Sequence, residues 1–252
     1  MREFTDRIRN RQRAIGYWIM LDAPPATERI ARLGYDYVVV DAQHGLLGST
    51  GTRNALLAID AGAVSAPLVR VQQNDPFAIG QALDAGACGV VVPLVDTPED
   101  AAAAVRAAKY PPEGGRSFGP MRSALRIGPA PAEANETVVV LVMIETPQGL
   151  DNVEAICATP GIDGVYVGPA DLRLAVGGSS PSDPSVDGEF EAAAARIAAA
   201  AEAAGISAGF HTRDGEEAER RLGQGYTYAT VAGDLVHLEQ AAKAHLSRAR
   251  GA

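Results

Sequence analysis

The sequence predicts a single (β/α)8 (TIM) barrel spanning residues 1–252, and three observations predict it. Short β-branched runs alternate with Ala-rich helical stretches from end to end, the pattern of a parallel sheet built from βα units. The runs number eight, the barrel count. The length of 252 residues is that of one such barrel, about 250 residues. A doubly wound sheet would show the same alternation, but its GxGxxG fingerprint after the first strand is absent. No linker or shift in composition divides the chain.

In chain order, the strands are read at Gly16–Met20, Tyr37–Asp41, Leu68–Val71, Gly89–Pro93, Val138–Ile144, Gly164–Val167, Ile206–Phe210 and Tyr226–Val231. Each is a short apolar run bounded by Gly, Pro or a charged residue. Three helix starts are marked by a capping side chain just before a proline: Asp75-Pro76, Thr97-Pro98 and Thr146-Pro147. Thr97 to Asp100 also fits a capping box. Each cap follows a strand by only a few residues, so the βα loops gather on one face. Residues 109–136, rich in Pro, Gly and Arg, are too long for an ordinary connection. They read either as a surface excursion or as a subunit contact or arm over an active site.

The net charge of −9, from 31 acidic and 22 basic residues, argues against a nucleic-acid partner. The charged N-terminus lacks an apolar core, and no stretch approaches the roughly 18 apolar residues of a membrane span. A cytoplasmic protein without a membrane partner is expected. Cys88 and Cys157 are far apart in apolar stretches and read as buried thiols rather than a disulfide or zinc site.

In such a barrel the active site lies at the C-terminal ends of the strands. The second strand runs into Asp41-Ala-Gln-His44, the third delivers Arg70, the fifth ends at Glu145, and the sixth leads through Gly168, Pro169 and Ala170 to Asp171. Charged groups directly after apolar strands are costly to bury unless paired or metal-bound. Taken singly, Asp41 and Asp171 could cap a helix and Arg70 could pair with Glu145. Their convergence on one rim points to chemistry.

Two carboxylates without sulfur suit a hard divalent cation, Mg2+ or Mn2+, held by Glu145 and Asp171. Such an ion could chelate a 2-oxo acid and polarise its carbonyl. Arg70 would donate to the same oxygen, and His44 would be the general base, acting through a metal-bound water. The chain has two lysines, Lys109 and Lys243, and neither follows a strand, so a Schiff-base route lacks its nucleophile.

Five motifs carry a family resemblance: Gly34 to His44, Asn74-Asp-Pro76, Tyr110-Pro-Pro112, Ile144-Glu145-Thr146 and Gly161 to Leu172. With them the chain, over nearly all its length, resembles the class II pyruvate aldolases of the HpcH/HpaI type, also called hydroxy ketoacid aldolases. The resemblance implies a phosphoenolpyruvate/pyruvate-type barrel, with the metal (Mg2+ or Mn2+, or else Co2+) on Glu145 and Asp171 and no organic cofactor. It further implies the enolate-stabilising guanidinium on Arg70, the base on His44, and the substrate carboxylate on backbone amides of Gly168-Pro169-Ala170. It pairs the histidine with an aspartate of an adjacent subunit, here Asp84, which lies at the far end of its helix and could hardly reach its own His44. Asp41 is the partner available within the chain. Trp18 matches a pocket-lining aromatic, with core packing as the alternative. The resemblance also implies a homotrimer or homohexamer whose final helix packs on a neighbouring subunit.

Three departures from the family pattern concern substrate: Ala42-Gln43 before the histidine, Met143, and Arg173, which could be a surface charge or bind an acidic group on the aldehyde. Gln43, Met143 and Arg116 to Pro120 look closer to the broad hydroxy-ketoacid branch. His211 follows the seventh strand, on the same rim and without a family counterpart, and reads either as a specificity contact or as a solvated loop residue. The expected function is reversible joining of pyruvate or hydroxypyruvate to an aldehyde through a metal-stabilised enolate. Alternatives on the same site are oxaloacetate decarboxylation or cleavage of a malyl-type CoA thioester, and, outside catalysis, a barrel that only binds a metabolite.

Overall fold

A computed structural model describes residues 1–251. Eight parallel strands close into one barrel in sequence order: β1 (Ala14–Ile19), β2 (Tyr37–Asp41), β3 (Ala66–Arg70), β4 (Gly89–Val92), β5 (Val139–Met143), β6 (Gly164–Val167), β7 (Ser207–Thr212) and β8 (Tyr228–Val231), with β8 pairing back onto β1. All eight expected strands are present, and β2 and β6 keep their expected bounds.

Where bounds differ, hydrogen bonds explain the shift. Val138 N–H still donates to Ala134 of the preceding helix, and Tyr226 N–H to Arg221, so β5 and β8 start later than expected. Strand β3 starts earlier, because Ala66 and Pro67 pair with β2 and the Pro67 carbonyl accepts from Cys88. Strand β7 runs on to Thr212, in register with Val231, so His211 lies within a strand. The three expected caps all form. Asp75 accepts from Phe77 and Ala78, Thr146 accepts from Gly149, and Thr97 and Asp100 make the capping box.

Strand side chains alternate between two buried layers. Val38, Val40, Val90, Val92, Val140 and Val142 pack outward under the helices. Tyr37, Val39, Leu68, Val91, Leu141 and Met143 fill the barrel interior. Interior glycines make room for tyrosine rings: a Cβ on Gly16 would lie 2.2 Å from the Tyr37 ring, and one on Gly209 2.0 Å from that of Tyr228. Gly209→Ala is therefore expected to cost about 1–3 kcal/mol through overpacking, read as a lower midpoint in denaturant at unchanged m-value.

The charged N-terminus, whose sequence gave no strand or cap signal, forms a helix, Arg2–Arg9, that plugs the barrel floor. Its Phe4 and Ile8 are buried in the interior layer, and Ser207 Oγ donates to the Ile8 carbonyl at 2.6 Å. No helix among the described residues is long and apolar enough to cross a membrane.

Candidate active site

The inward alternation that fills the barrel also aims the rim. Trp18 continues the interior face of β1, Asp41 that of β2, Arg70 that of β3 and His211 that of β7. Glu145 stands two residues beyond the interior Met143, and Gly168 two beyond the interior Tyr166. Trp18, Asp41, Arg70, Gly168 and His211 surround a cavity of about 250 Å³, lined also by His44, Pro169, Ala170 and Asp171. Glu145 is buried beside it, with Oε2 2.6 Å from the position a Cβ on Gly168 would take.

Asp41 is the most heavily bonded residue of the rim and is fully buried. Arg70 grips it with two parallel bonds, Nε to Oδ1 at 2.9 Å and an Nη to Oδ2 at 2.5 Å. Trp18 Nε1 donates to Oδ2 at 3.1 Å, and the backbone N–H groups of Gln43 and His44 donate to Oδ1 at 3.1 Å. Burial opposes ionisation of this carboxyl, yet the Arg70 bonds and charge outweigh it and hold the group below the ordinary aspartate range. The structure thus assigns Asp41 to Arg70 rather than to the His44 imidazole, because both its oxygens are taken. The expected alternative of an Arg70–Glu145 pair does not form. Arg70 also lies over the Trp18 ring, 5.0 Å from its centroid. Its guanidinium is therefore fixed in two directions.

The His44 imidazole is exposed at the cavity and makes no hydrogen bond among the described residues. Asp84 lies at the C-terminal end of the helix Pro76–Asp84, on the barrel floor, where Arg116 donates to it at 2.5 Å. That is the end of the barrel opposite the rim on which His44 stands.

Glu145 is buried, and Leu94 N–H donates to its Oε1 at 2.9 Å. Leu94 has a left-handed backbone, φ 55°, in the loop after β4, a strained conformation for a residue with a side chain. Its role rests on a backbone amide, so the side-chain sequence gave no sign of it. The other Glu145 oxygen, Oε2, is buried without a partner. Burial pushes this carboxyl up to about 7; the Leu94 amide opposes the shift and the charge of Asp171 adds to it. An orphaned buried carboxylate oxygen beside a second carboxylate is the donor set a hard divalent cation satisfies. The residues present therefore fit a metal ion.

Asp171 stands in the first turn of the short helix Pro169–Ala175, whose leading N–H groups have no intrahelical acceptor. Arg173, further along it, is taken up elsewhere: it donates to the Asp183 carbonyl at 2.7 Å and to Asp187 at 2.6 Å, and packs over Phe190.

Other expectations resolve similarly. Lys109 lies buried near the floor, its amine donating to the carbonyls of Asn135 and Val138 at 2.5 and 2.8 Å. Lys243 is exposed on the last helix beside Glu239, so no lysine reaches the rim. Residues 109–136 pack at the floor through Arg116 to Asp84 and Arg122 to Asp60 and the Ala85 carbonyl, not over the chain's own cavity. His237 bonds the Tyr17 hydroxyl at 2.8 Å. Cys88 and Cys157 are buried free thiols.

The last helix, Asp234–Arg250, begins at the rim, where Asp234 accepts from Met20 and Leu21 N–H and Val236 lines the cavity. It then leaves the barrel without a single buried residue.

The chain is similar to known proteins over nearly its whole length. Hydroxypyruvate/pyruvate aldolase of Rhizorhabdus wittichii is 40% identical over 238 residues, covering 94% of each chain. 5-Keto-4-deoxy-D-glucarate aldolase of Salmonella paratyphi C is 37% identical over 237 residues, covering 92% of this chain and 91% of the relative. The solved structure of an HpcH/HpaI aldolase/citrate lyase family protein from Burkholderia cenocepacia superposes with a TM-score of 0.87 at 34% identity, over 99% of this chain and all of that one. Residues 14–241 match the family profile itself, and the chain belongs to the HpcH/HpaI aldolase/citrate lyase family.

Proposed function

We propose that the protein is a class II aldolase acting as one catalytic barrel over residues 1–252, which reversibly joins pyruvate or hydroxypyruvate to an aldehyde. The relatives' named activities support this reading. The observation that carries it is Arg70, a guanidinium locked by Asp41 and Trp18 at the edge of a cavity that also holds an exposed imidazole and Asp171, with Glu145 buried beside it.

The family is generally metal-dependent, and Glu145 and Asp171 would hold the ion, Mg2+ or Mn2+. When bound, it would supply Lewis acidity toward the 2-oxo acid. The backbone amides of the Gly168-Pro169-Ala170 loop, at the start of the helix Pro169–Ala175, would bind the substrate carboxylate. In cleavage, the base system of His44 takes the proton of the C4 hydroxyl, and the C3–C4 bond breaks to leave an aldehyde and the pyruvate enolate. Arg70 donates to the enolate oxygen as its charge grows, at no cost in reorganisation because Asp41 already orients it. A proton then returns to C3.

The His44 imidazole has no hydrogen-bond partner among the described residues, and Asp84 of a neighbouring copy would orient it in a homotrimer or homohexamer. The unburied final helix supports such an assembly, as do Phe118, Met121 and Leu125, apolar residues exposed on the 109–136 excursion. The free thiols suit a reducing, cytoplasmic setting.

The test is aldol addition of pyruvate or hydroxypyruvate to glycolaldehyde, with and without Mn2+, against decarboxylation of oxaloacetate. Faster metal-dependent carbon–carbon bond formation supports the reading. Decarboxylation alone contradicts it.

A further inference from the structure

The cavity contains one imidazole that the chemistry above does not use. His211, on the interior face of β7, presents its ring to the cavity and meets Trp18 edge-on, with centroids 5.0 Å apart. Its Nδ1 lies 3.3 Å from the Tyr166 hydroxyl. That hydroxyl donates its proton to Thr230 Oγ1 at 2.7 Å, and Tyr37 shares the same threonine at 2.8 Å. A phenol has one proton. With it committed to Thr230, the contact to His211 requires Nδ1 to be the donor, which leaves Nε2 as an acceptor. No residue among those described bonds Nε2. Burial and the charge of Arg70 push the imidazole down to about 4, against Asp41 and Glu217, so the ring is neutral at ordinary pH.

We propose that His211 is a specificity-determining residue whose Nε2, fixed as an acceptor by the Tyr166–Thr230 chain, takes a hydrogen bond from a hydroxyl on the substrate. This rests on the aldolase reading and deepens it. A substrate with hydrogen or methyl in that place leaves a desolvated nitrogen unpaired against Trp18, whereas a hydroxyl satisfies it. The hydroxyl has two possible sources: C3 of a 3-hydroxy-2-oxo acid, or the carbon beside the aldehyde.

The experiment compares kcat/KM for the four pairings of pyruvate or hydroxypyruvate with acetaldehyde or glycolaldehyde, in the native protein, His211→Phe and His211→Gln. His211→Phe is expected to lower the hydroxylated pairings roughly ten-fold relative to their deoxy counterparts. His211→Gln, which keeps an acceptor oxygen, is expected to restore part of that ratio. The arm that moves, hydroxypyruvate or glycolaldehyde, identifies the source. An equal change in all four pairings overturns the proposal.

Absence of turnover by the native protein on every pairing would sink the aldolase reading alone, because a second readout needs no turnover. In 15N-histidine-labelled protein, assigned by loss of signal in His211→Phe, the ring is expected neutral and Nδ1-protonated at pH 6. Hydroxypyruvate or glycolaldehyde is expected to shift the Nε2 resonance while pyruvate and acetaldehyde leave it in place. An Nε2-protonated ring, or no shift with either hydroxylated compound, overturns the proposal.

Discussion

Arg70→Ala is expected to remove aldol turnover, lowering kcat/KM by at least about 10²–10³-fold, the usual cost of losing a donor aimed at a developing oxyanion. The same change harms the fold. Asp41 is fully buried and Arg70 nearly so, and stripping one partner from such a pair costs about 3–5 kcal/mol because the remaining charge stays uncompensated. Activity and stability would then fall together, and Arg70→Lys separates them. A lysine keeps a positive charge beside Asp41 but cannot make the two parallel bonds or lie flat on Trp18. It is expected to recover most of the melting temperature while kcat stays depressed by roughly 10²-fold or more. Recovery of kcat along with the melting temperature would show that Arg70 is a structural counter-charge.

Glu145→Gln is expected to abolish metal dependence rather than folding. The amide retains an oxygen for the Leu94 N–H but surrenders the charge that a divalent cation requires. After chelation, Mn2+ at about a hundred times its dissociation constant should stabilise the native protein by about 2.7 kcal/mol. In Glu145→Gln the rise in melting temperature should vanish along with turnover. A Glu145→Gln variant that still gains stability from Mn2+ would place the ion elsewhere.

The barrel was legible because its signals are local. Val-rich runs such as Tyr37–Asp41 and Gly164–Val167 are too short and too β-branched for helices, and the Asp75, Thr97 and Thr146 caps mark the turns between them. The rim residues were legible for a related reason, since a charged residue directly after an apolar strand can only stand at a strand end. What each rim residue bonds was not legible, because partners come from other strands. Asp41 looked like the available partner of His44, three positions away, yet β2–β3 register places it opposite Arg70. The Leu94 amide and the Tyr166–Thr230–His211 chain were hidden for the same reason: both join segments that are distant in sequence. The N-terminal helix was missed because an 8-residue amphipathic segment carries too little pattern until the barrel floor offers Phe4 and Ile8 a place to pack.

In the proposed reaction this rim makes and holds the enolate of a 2-oxo acid. Proton NMR of pyruvate in deuterium oxide tests it directly, because an enolate formed and reprotonated reversibly replaces the methyl protons with deuterium before any aldehyde is present. Exchange is expected to need added Mg2+ or Mn2+, to stop on chelation, and to be lost in Glu145→Gln and Arg70→Lys. Methyl protons that persist at the rate of the protein-free control, with metal bound and the fold intact, would contradict this expectation.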